Sequence, residues 1–459
     1  MLCSHCGVLG VPMSAESDGS YWQRMRADLA GSPPLLWAFL YFYCLLCGYY
    51  VLRPVREAMG AASDVYTVFP PWLVDLAAAR SIDLGQLTLQ ILFSATFVIM
   101  LLLQPAYGWL VSRFPRRVFL PTVYTVFVVT LLGFYLAFDS GLPGRGMLFF
   151  LWITVFNLFA VAVFWSFMAD VFTDSEARRL YGWIGAAGTL GAISGPLLTT
   201  TLVSRLGIAN LMLVSAVLLV LCIVCILRLR LWAVQREQQR GLRSGEVPMG
   251  GQLLAGLKLI AQQPLLRWMA LAVFFGVSVG TLLYNEQRLI VQQYYPEPEA
   301  STAYYAMIDL GVNTLTLLVQ LLLTRWVLSR WGIGPALLGP ALIILVAFMA
   351  LTASPLPLIV AIAQILTRAS EFALAKPARE TIYTRVDREW RYKSGAAIDT
   401  VIYRGGDLSF VWVHKFVSGF GSSAVFATGV LCALFMCVAG FGLWREQKKL
   451  PRDVGGPIA

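Results

Sequence analysis

RASEFALAKPARETIYTRVDREWRYKSGAAIDTVIYRGGD, residues Arg368 to Asp407, decides how this chain is to be read. The stretch is dense in charge, yet only 13% of the 459 residues are charged and 58% are hydrophobic. Apolar runs flank it on both sides, which predicts two half-buried helices joined by a basic elbow. Ionisable groups at membrane depth are costly unless they serve a pathway or a partner. The pattern points to the working hairpin of a transporter.

The rest of the chain agrees. A mean hydropathy of +0.71 exceeds what a soluble domain carries and predicts an all-α polytopic membrane protein. A crossing needs roughly 20 apolar residues. Runs of that kind fall near 35–56, 87–111, 118–138, 147–168, 180–203, 210–231, 265–284, 303–324, 333–353, 357–375, 395–418 and 424–444. They predict twelve spans in two six-helix halves. The expected division is a tail over 1–30, a first bundle over 31–231, a linker over 232–262, a second bundle over 263–444 and a tail over 445–459. The linker ends in GQLLAGLKLIAQQ, whose amphipathic spacing suits a membrane surface.

Basic residues orient these spans. Arg113, Arg116, Arg117, Arg178, Arg179, Arg236, Arg240, Arg243, Arg325 and Arg330 fall in alternate gaps, together with the 376–393 elbow and the Arg445–Arg452 tail. The other gaps hold few, among them Arg80, Arg145 and Arg205. The positive-inside bias then puts both termini and the central linker in the cytoplasm. A net charge of +10 and a pI near 9.3 serve that topology and anionic headgroups, and do not imply nucleic-acid binding. A basic interior would also draw in an anionic substrate.

Other chemistries find little support. Cys44, Cys47, Cys222, Cys225, Cys432 and Cys437 lie in apolar runs, where a thiol is a small hydrophobe. Cys3, His5 and Cys6 imitate a metal half-site but fall short of four ligands, so a disordered tail and no metal are expected. Residues 1–30 lack a signal-peptide pattern, and Met13 or Met25 are alternative starts. The remaining histidine, His414, stands alone on span 11, and no GxxxxGK[ST] occurs. Neither an enzyme nor a cofactor is expected.

The polar stripes are the informative residues. Tyr49, Arg53 and Arg56 lie at i, i+4 and i+7 on span 1, beside Pro54 and Glu57. Span 7 ends in Tyr284, Asn285, Glu286 and Arg288, and span 8 carries Asp309, Asn313 and Gln320 with spacing suited to one face. Arg368 and Glu371 are three apart on span 10 and predict a one-turn pair. Pro377, between Lys376 and Glu380, predicts a bend or break. Asp399, Tyr403 and Asp407 repeat every fourth residue on span 11, next to Arg404 and Gly405–Gly406. Each residue has a bland reading as an interhelical tie or a snorkelling end. As a set, stripes on five spans with more bases than acids predict a cavity for a bulky organic anion, phosphate before carboxylate.

Several motifs resemble known transporters. The two six-helix halves with a long cytoplasmic linker resemble the major-facilitator architecture, in which halves rock about a midplane site. GWLVSRFPRR (Gly108–Arg117) is similar to the facilitator loop between spans 2 and 3, with Ser112 and Pro115 in place of Asp and Gly; an ordinary basic loop remains the other reading. Gly182, Gly185, Gly188, Gly191 and Gly195 precede Pro196 on span 5 and suit close helix packing, while GAISGP also resembles a motif of facilitator antiporters. Asp170…Arg179-Leu-Tyr-Gly182 before span 5 and Glu380…Lys393-Ser-Gly395 before span 11 echo each other as a repeat.

Three stretches resemble the ATP/ADP translocases of plastids and bacteria. They are Arg53-Pro-Val-Arg56-Glu57-Ala-Met59, Phe167–Gly185, and Glu371-Phe-Ala-Leu-Ala-Lys376-Pro-Ala-Arg379-Glu380 through Arg391-Tyr-Lys393-Ser-Gly-Ala-Ala-Ile-Asp399 to Arg404-Gly-Gly406. The resemblance implies nucleotide exchange in a bacterial inner membrane, with Arg56 in the place of a functional lysine. The chain departs at Gly395 and Asp407, where the family has lysines, and near Thr154, where it has a glutamate. The expected phosphate contacts are Arg53, Arg56, Arg368, Arg379, Lys393 and Arg404, with Tyr49 and Tyr403 for stacking. Glu57, Glu286, Arg288, Asp309, Glu371, Asp399 and Asp407 are expected to gate or couple. The chain should act as a monomer. The alternative is a proton-coupled carrier of another small solute, and a membrane scaffold is a third reading.

Overall fold

The structure is a computed structural model that describes residues 33–113, 116–240, 252–383, 386, 394–395 and 397–449. Cys3, His5, Cys6, Lys393 and the 387–392 part of the elbow lie outside the described residues, as do the side chains of Arg113, Arg116, Arg117, Arg178 and Arg179.

Among the described residues, ten helical stretches are long and apolar enough to cross a bilayer. One of them, Leu180–Val234, has 55 residues, or roughly 80 Å at about 1.5 Å per residue, far more than one crossing needs. It breaks at Gly207, whose φ of 74° and ψ of 170° are open to glycine at little steric cost, and so supplies spans 5 and 6. Ile398–Val417, a π-turn followed by an α-helix, is span 11; its charged residues dilute its hydropathy. With these the described helices make twelve spans. The others are span 1 (Pro33–Gly60), span 2 (Thr88–Arg113), span 3 (Arg116–Asp139), span 4 (Arg145–Val171), span 7 (Pro264–Tyr294), span 8 (Pro298–Arg330), span 9 (Ile333–Ala353), span 10 (Pro357–Tyr383) and span 12 (Ser422–Gln447).

Several spans outrun the apolar stretches that announce them. Span 1 continues through Arg53–Gly60, span 7 through Asn285–Tyr294 and span 10 through Lys376–Tyr383. Most of their polar side chains are buried or half-buried in protein, so lipid does not have to solvate them. Lipid meets Leu102, Val129, Leu136, Val217, Leu322 and Leu358, all exposed. Span 5 starts with a capping box: the Thr173 amide and hydroxyl each donate to Glu176 Oε2 at 2.8 Å, and the Glu176 amide points back at Thr173 Oγ1, 3.4 Å away.

The glycine row of span 5 packs on span 1. A Cβ at Gly191 would stand 2.5 Å from the Tyr43 carbonyl oxygen, and one at Gly195 2.7 Å from that of Cys47. Only glycine allows the two backbones this close. The buried core around these helices runs from Leu35 to Leu229 and includes Cys44, Cys222 and Cys225, which are free thiols packed as hydrophobes. The second half has two cores, one around Leu266, Ala336 and Ile382, the other around Leu282, Phe348 and Phe426.

Pro377 does not end span 10. A π-turn over Glu371–Ala375 precedes it, and the helix runs on to Tyr383. Proline has no N–H for the carbonyl four residues back, that of Ala373. The Thr324 hydroxyl of span 8 donates to that oxygen instead, at 2.7 Å. Gln320 reaches the neighbouring Phe372 carbonyl at 3.2 Å, so it serves span 10 while Asp309 and Asn313 reach the other half.

The halves meet at the end where span 1 finishes. Two apolar clusters straddle the seam there: Phe69, Leu89 and Phe150 with Val411, and Ala58 and Ala61 with Val291, Tyr304 and Ile308. This is called the sealed end below.

Candidate substrate-binding site

Two carboxylates each hold two arginines. Asp309 Oδ1 accepts from Nη1 of Arg53 and from Nη1 of Arg368, both at 2.8 Å, so one oxygen on span 8 joins span 1 to span 10. Its Oδ2 is buried without a partner. Glu57 Oε1 lies 2.7 Å from Arg56 Nη2 and 3.7 Å from Arg53 Nε. Glu57 Oε2 accepts the hydroxyl of Tyr284, on span 7. Removed from bulk water, such pairs are strong, and stranding one partner is expensive.

Span 11 completes the ring. Asp407 Oδ1 accepts from the Thr281 hydroxyl at 2.8 Å, and its Oδ2 is 3.5 Å from Arg404 Nη1. Arg56 is close enough to Asp407 to interact with it through space, and Tyr403 stands in the same relation to Arg368, Arg404, Glu371 and Asp407. Four guanidinium groups therefore meet three carboxylates. The side chains of Arg53, Arg56, Arg368 and Arg404 keep 17%, 18%, 21% and 21% of their surface open. Aromatic rings pin three of them: Arg56 lies 4.8 Å over Phe150, Arg404 5.6 Å over Tyr403 and Arg53 5.8 Å over Tyr50.

The sequence pattern described as Major Facilitator Superfamily matches residues 58–385, well over half of the chain. The chain belongs to the major facilitator superfamily. It is a secondary transporter, and that superfamily comprises carriers rather than enzymes. Among solved structures, this facilitator is similar to an auto-inhibited peptide transporter of the POT family at a TM-score of 0.61 and 14% identity, covering 93% of this chain and 99% of that one. It is also similar to the nucleoside transporter NupG (TM-score 0.59, 12% identity, 90% and 99% covered). A D-xylose–proton symporter follows at a TM-score of 0.58 and 14% identity, with 88% and 96% covered. At such identities the likeness concerns the fold. No curated protein matches the facilitator in sequence.

The one-turn pair expected between Arg368 and Glu371 does not form. Arg368 turns to Asp309, and Glu371 pairs with Arg379 at 2.7 Å. The turn between them is regular α-helix, with the Glu371 amide bonded to the Thr367 and Arg368 carbonyls, so competing partners rather than geometry separate the two side chains. Glu371, Arg379, Lys376 and Asp399 form a second tier toward the far end, with Asp399 near Lys376 and Arg379. Another π-turn, Ile398–Ile402, sits between Asp399 and Tyr403, so the expected four-residue stripe changes register there.

Thr154, where the resemblance leads one to expect a glutamate, does face the site: its hydroxyl is 3.4 Å from Arg56 Nη1. Gly395, where a lysine is expected, has nothing within 4 Å of the place a Cβ would take. Tyr403 is exposed at 37%, whereas Tyr49 is buried against Tyr50. Arg288 donates to the carbonyls of Gly60 (3.1 Å) and Gly85 (2.7 Å), where its charge meets the C-terminal end of span 1. Glu286 lies beside it in the chain and bonds His414 at 2.8 Å. Sequence reasoning left His414 without a partner; the signal was a lone imidazole in an apolar helix, which burial obliges to find one.

Proposed function

We propose that this facilitator exchanges nucleotides or related phosphorylated organic anions by alternating access. The sharing of Asp309 and Glu57, each between two arginines, carries the reading. A phosphate offers several oxygens in the geometry that a guanidinium fork prefers. It can take over Arg53, Arg56 and Arg368 while their carboxylates stay nearby to reclaim them. Arg404 joins these contacts, Arg379 lines the approach, and Tyr403 offers a ring for a planar base; Tyr49 supports the span 1 arginines from behind, and Lys393 stays a phosphate-contact candidate from the sequence. Glu57, Asp309, Asp407, Glu286 and Arg288 act as gate ties, with Glu371 and Asp399 below them. The working topology is a monomer in a bacterial inner membrane with both termini in the cytoplasm, which makes the sealed end periplasmic.

Purified protein in liposomes tests this through uptake of labelled nucleotide with and without internal nucleotide. Uptake should depend on internal nucleotide. Arg56→Ala should lower it by about ten- to a hundredfold, the equivalent of about 1.5–3 kcal/mol for hydrogen bonds to a charged group. Absence of uptake across ATP, ADP, GTP and nucleotide sugars rejects nucleotide exchange. A second reading, proton-coupled transport of another small solute, is favoured by the unpartnered Asp309 Oδ2. It requires transport that collapses with an uncoupler and survives Arg56→Ala.

A further inference from the structure

We propose that the buried pair Glu286–His414 is a proton-binding site whose loading opens the sealed end of the carrier. The proposal does not depend on which solute is carried. Glu286 on span 7 and His414 on span 11 meet through Oε1 and Nε2 at 2.8 Å, and they are 2% and 6% exposed. The other imidazole nitrogen, Nδ1, is buried with no partner. A histidine kept for structure alone normally satisfies both nitrogens. Here one is left vacant, and a cavity of about 530 Å³ lined by His414, Asn285, Arg288, Lys415, Gln86 and Gln90 leads to the pair.

The site sits on the segment that closes the seam. The Val411 carbonyl accepts from Gln90 at 3.2 Å, Trp412 reaches Ser94 at 3.4 Å and Lys415 donates to Gln86 at 2.9 Å, all between span 11 and the opposite half. His414 anchors the same turn to span 7. Whatever alters the Glu286–His414 contact therefore acts on the strip that holds the halves together.

Charge sets the direction. Around the pair stand Arg288 from span 7, Lys415 and, two turns back, Asp407 from span 11, and Asp83 from the loop before span 2. Gln86 and Gln90 on the span 2 side are uncharged, and span 12 has no charged residue between Ser422 and Trp444, its titratable groups there being the thiols Cys432 and Cys437. Glu286 faces two cations here, Arg288 and Lys415. A proton added at Nδ1 makes His414 a third cation beside Arg288 and Lys415. Mutual repulsion then works against the bonds those two make to Gly60, Gly85 and Gln86.

The test is a distance measurement across the sealed end in nanodiscs. Leu142 and Phe420 lie on loops of opposite halves and are 51% and 74% exposed. Spin labels on Leu142→Cys and Phe420→Cys, with Cys3, Cys6 and Cys437 changed to serine, report their separation by pulsed dipolar spectroscopy. Between about pH 8 and about pH 5.5 the long-distance population should rise, by up to about tenfold per pH unit for one linked proton. In His414→Gln, which keeps size and a hydrogen-bonding head, the population should not change with pH. The proposal falls if the parent protein does not respond, or if His414→Gln responds as the parent does. Should His414→Gln fail to give monodisperse protein, His414→Asn decides by the same criterion.

Discussion

Asn313 on span 8 donates through Nδ2 to the backbone carbonyl of Ala192 on span 5, 2.7 Å away in the other half of the molecule. Four residues beyond Ala192 stands Pro196, which has no N–H to offer that carbonyl. The bond across the seam thus fills an acceptor that the helix itself leaves vacant.

This dependence can be measured with a double-mutant cycle. Asn313→Ala strands the Ala192 oxygen and should cost about 1–3 kcal/mol, seen as a lower Tm in detergent. In a Pro196→Ala background the new N–H claims the carbonyl, and the same change should cost less. The two sites should couple by about 0.5–3 kcal/mol. An equal cost in both backgrounds would sink the explanation.

Asp309→Asn keeps the size of the side chain and removes the charge that Arg53 and Arg368 share. Breaking a buried pair by deleting one partner costs about 3–5 kcal/mol, and here two cations are stranded. Thermal unfolding should show a larger loss for Asp309→Asn than for Arg368→Met. The double variant should recover part of it, since one stranded cation is gone. A double variant less stable than Asp309→Asn alone contradicts the shared-carboxylate account.

Asp64, in the loop after span 1, caps the short helix Val65–Val68. Its carboxylate accepts from the Thr67 hydroxyl and from the amides of Tyr66 and Thr67. These bonds, led by the Thr67 hydroxyl, hold it below the usual carboxylate range. A depressed folded-state value means that the stabilisation is present above the unfolded value of about 3.9 and fades as pH falls through the folded one. Amide exchange at Tyr66 and Thr67 should therefore accelerate below about pH 4 beyond the intrinsic pH trend. In Asp64→Ala, which loses about 1 kcal/mol of capping, that extra acceleration should be missing. Identical pH profiles for the two proteins would remove the cap from consideration.

The spans were legible because most apolar runs are about as long as a bilayer crossing, and the family resemblance rests on stretches that remain contiguous in the chain. Pairing was less legible. Arg53 and Asp309 are 256 residues apart, and a stripe shows which face is polar without naming what it meets. Arg368 and Glu371 are neighbours on a regular helical turn, but Asp309 on span 8 and Arg379 further along span 10 draw them to other partners. The polar ends of spans 1, 7 and 10 escaped hydropathy because protein, not lipid, surrounds them. His414 was set aside as solitary, since nothing local marks Glu286 as its partner.

Span 8 is fastened on both sides through carbonyls that prolines have relinquished: Ala373, released by Pro377, binds Thr324, and Ala192, released by Pro196, binds Asn313. The first fastening lies within one half and the second crosses to the other. When the crossing bond lets go, no turn of either helix unravels, because no turn ever relied on that oxygen. The barrier to reorientation can therefore scale with a handful of side-chain detachments rather than with local melting, and the return stroke finds the same rung waiting.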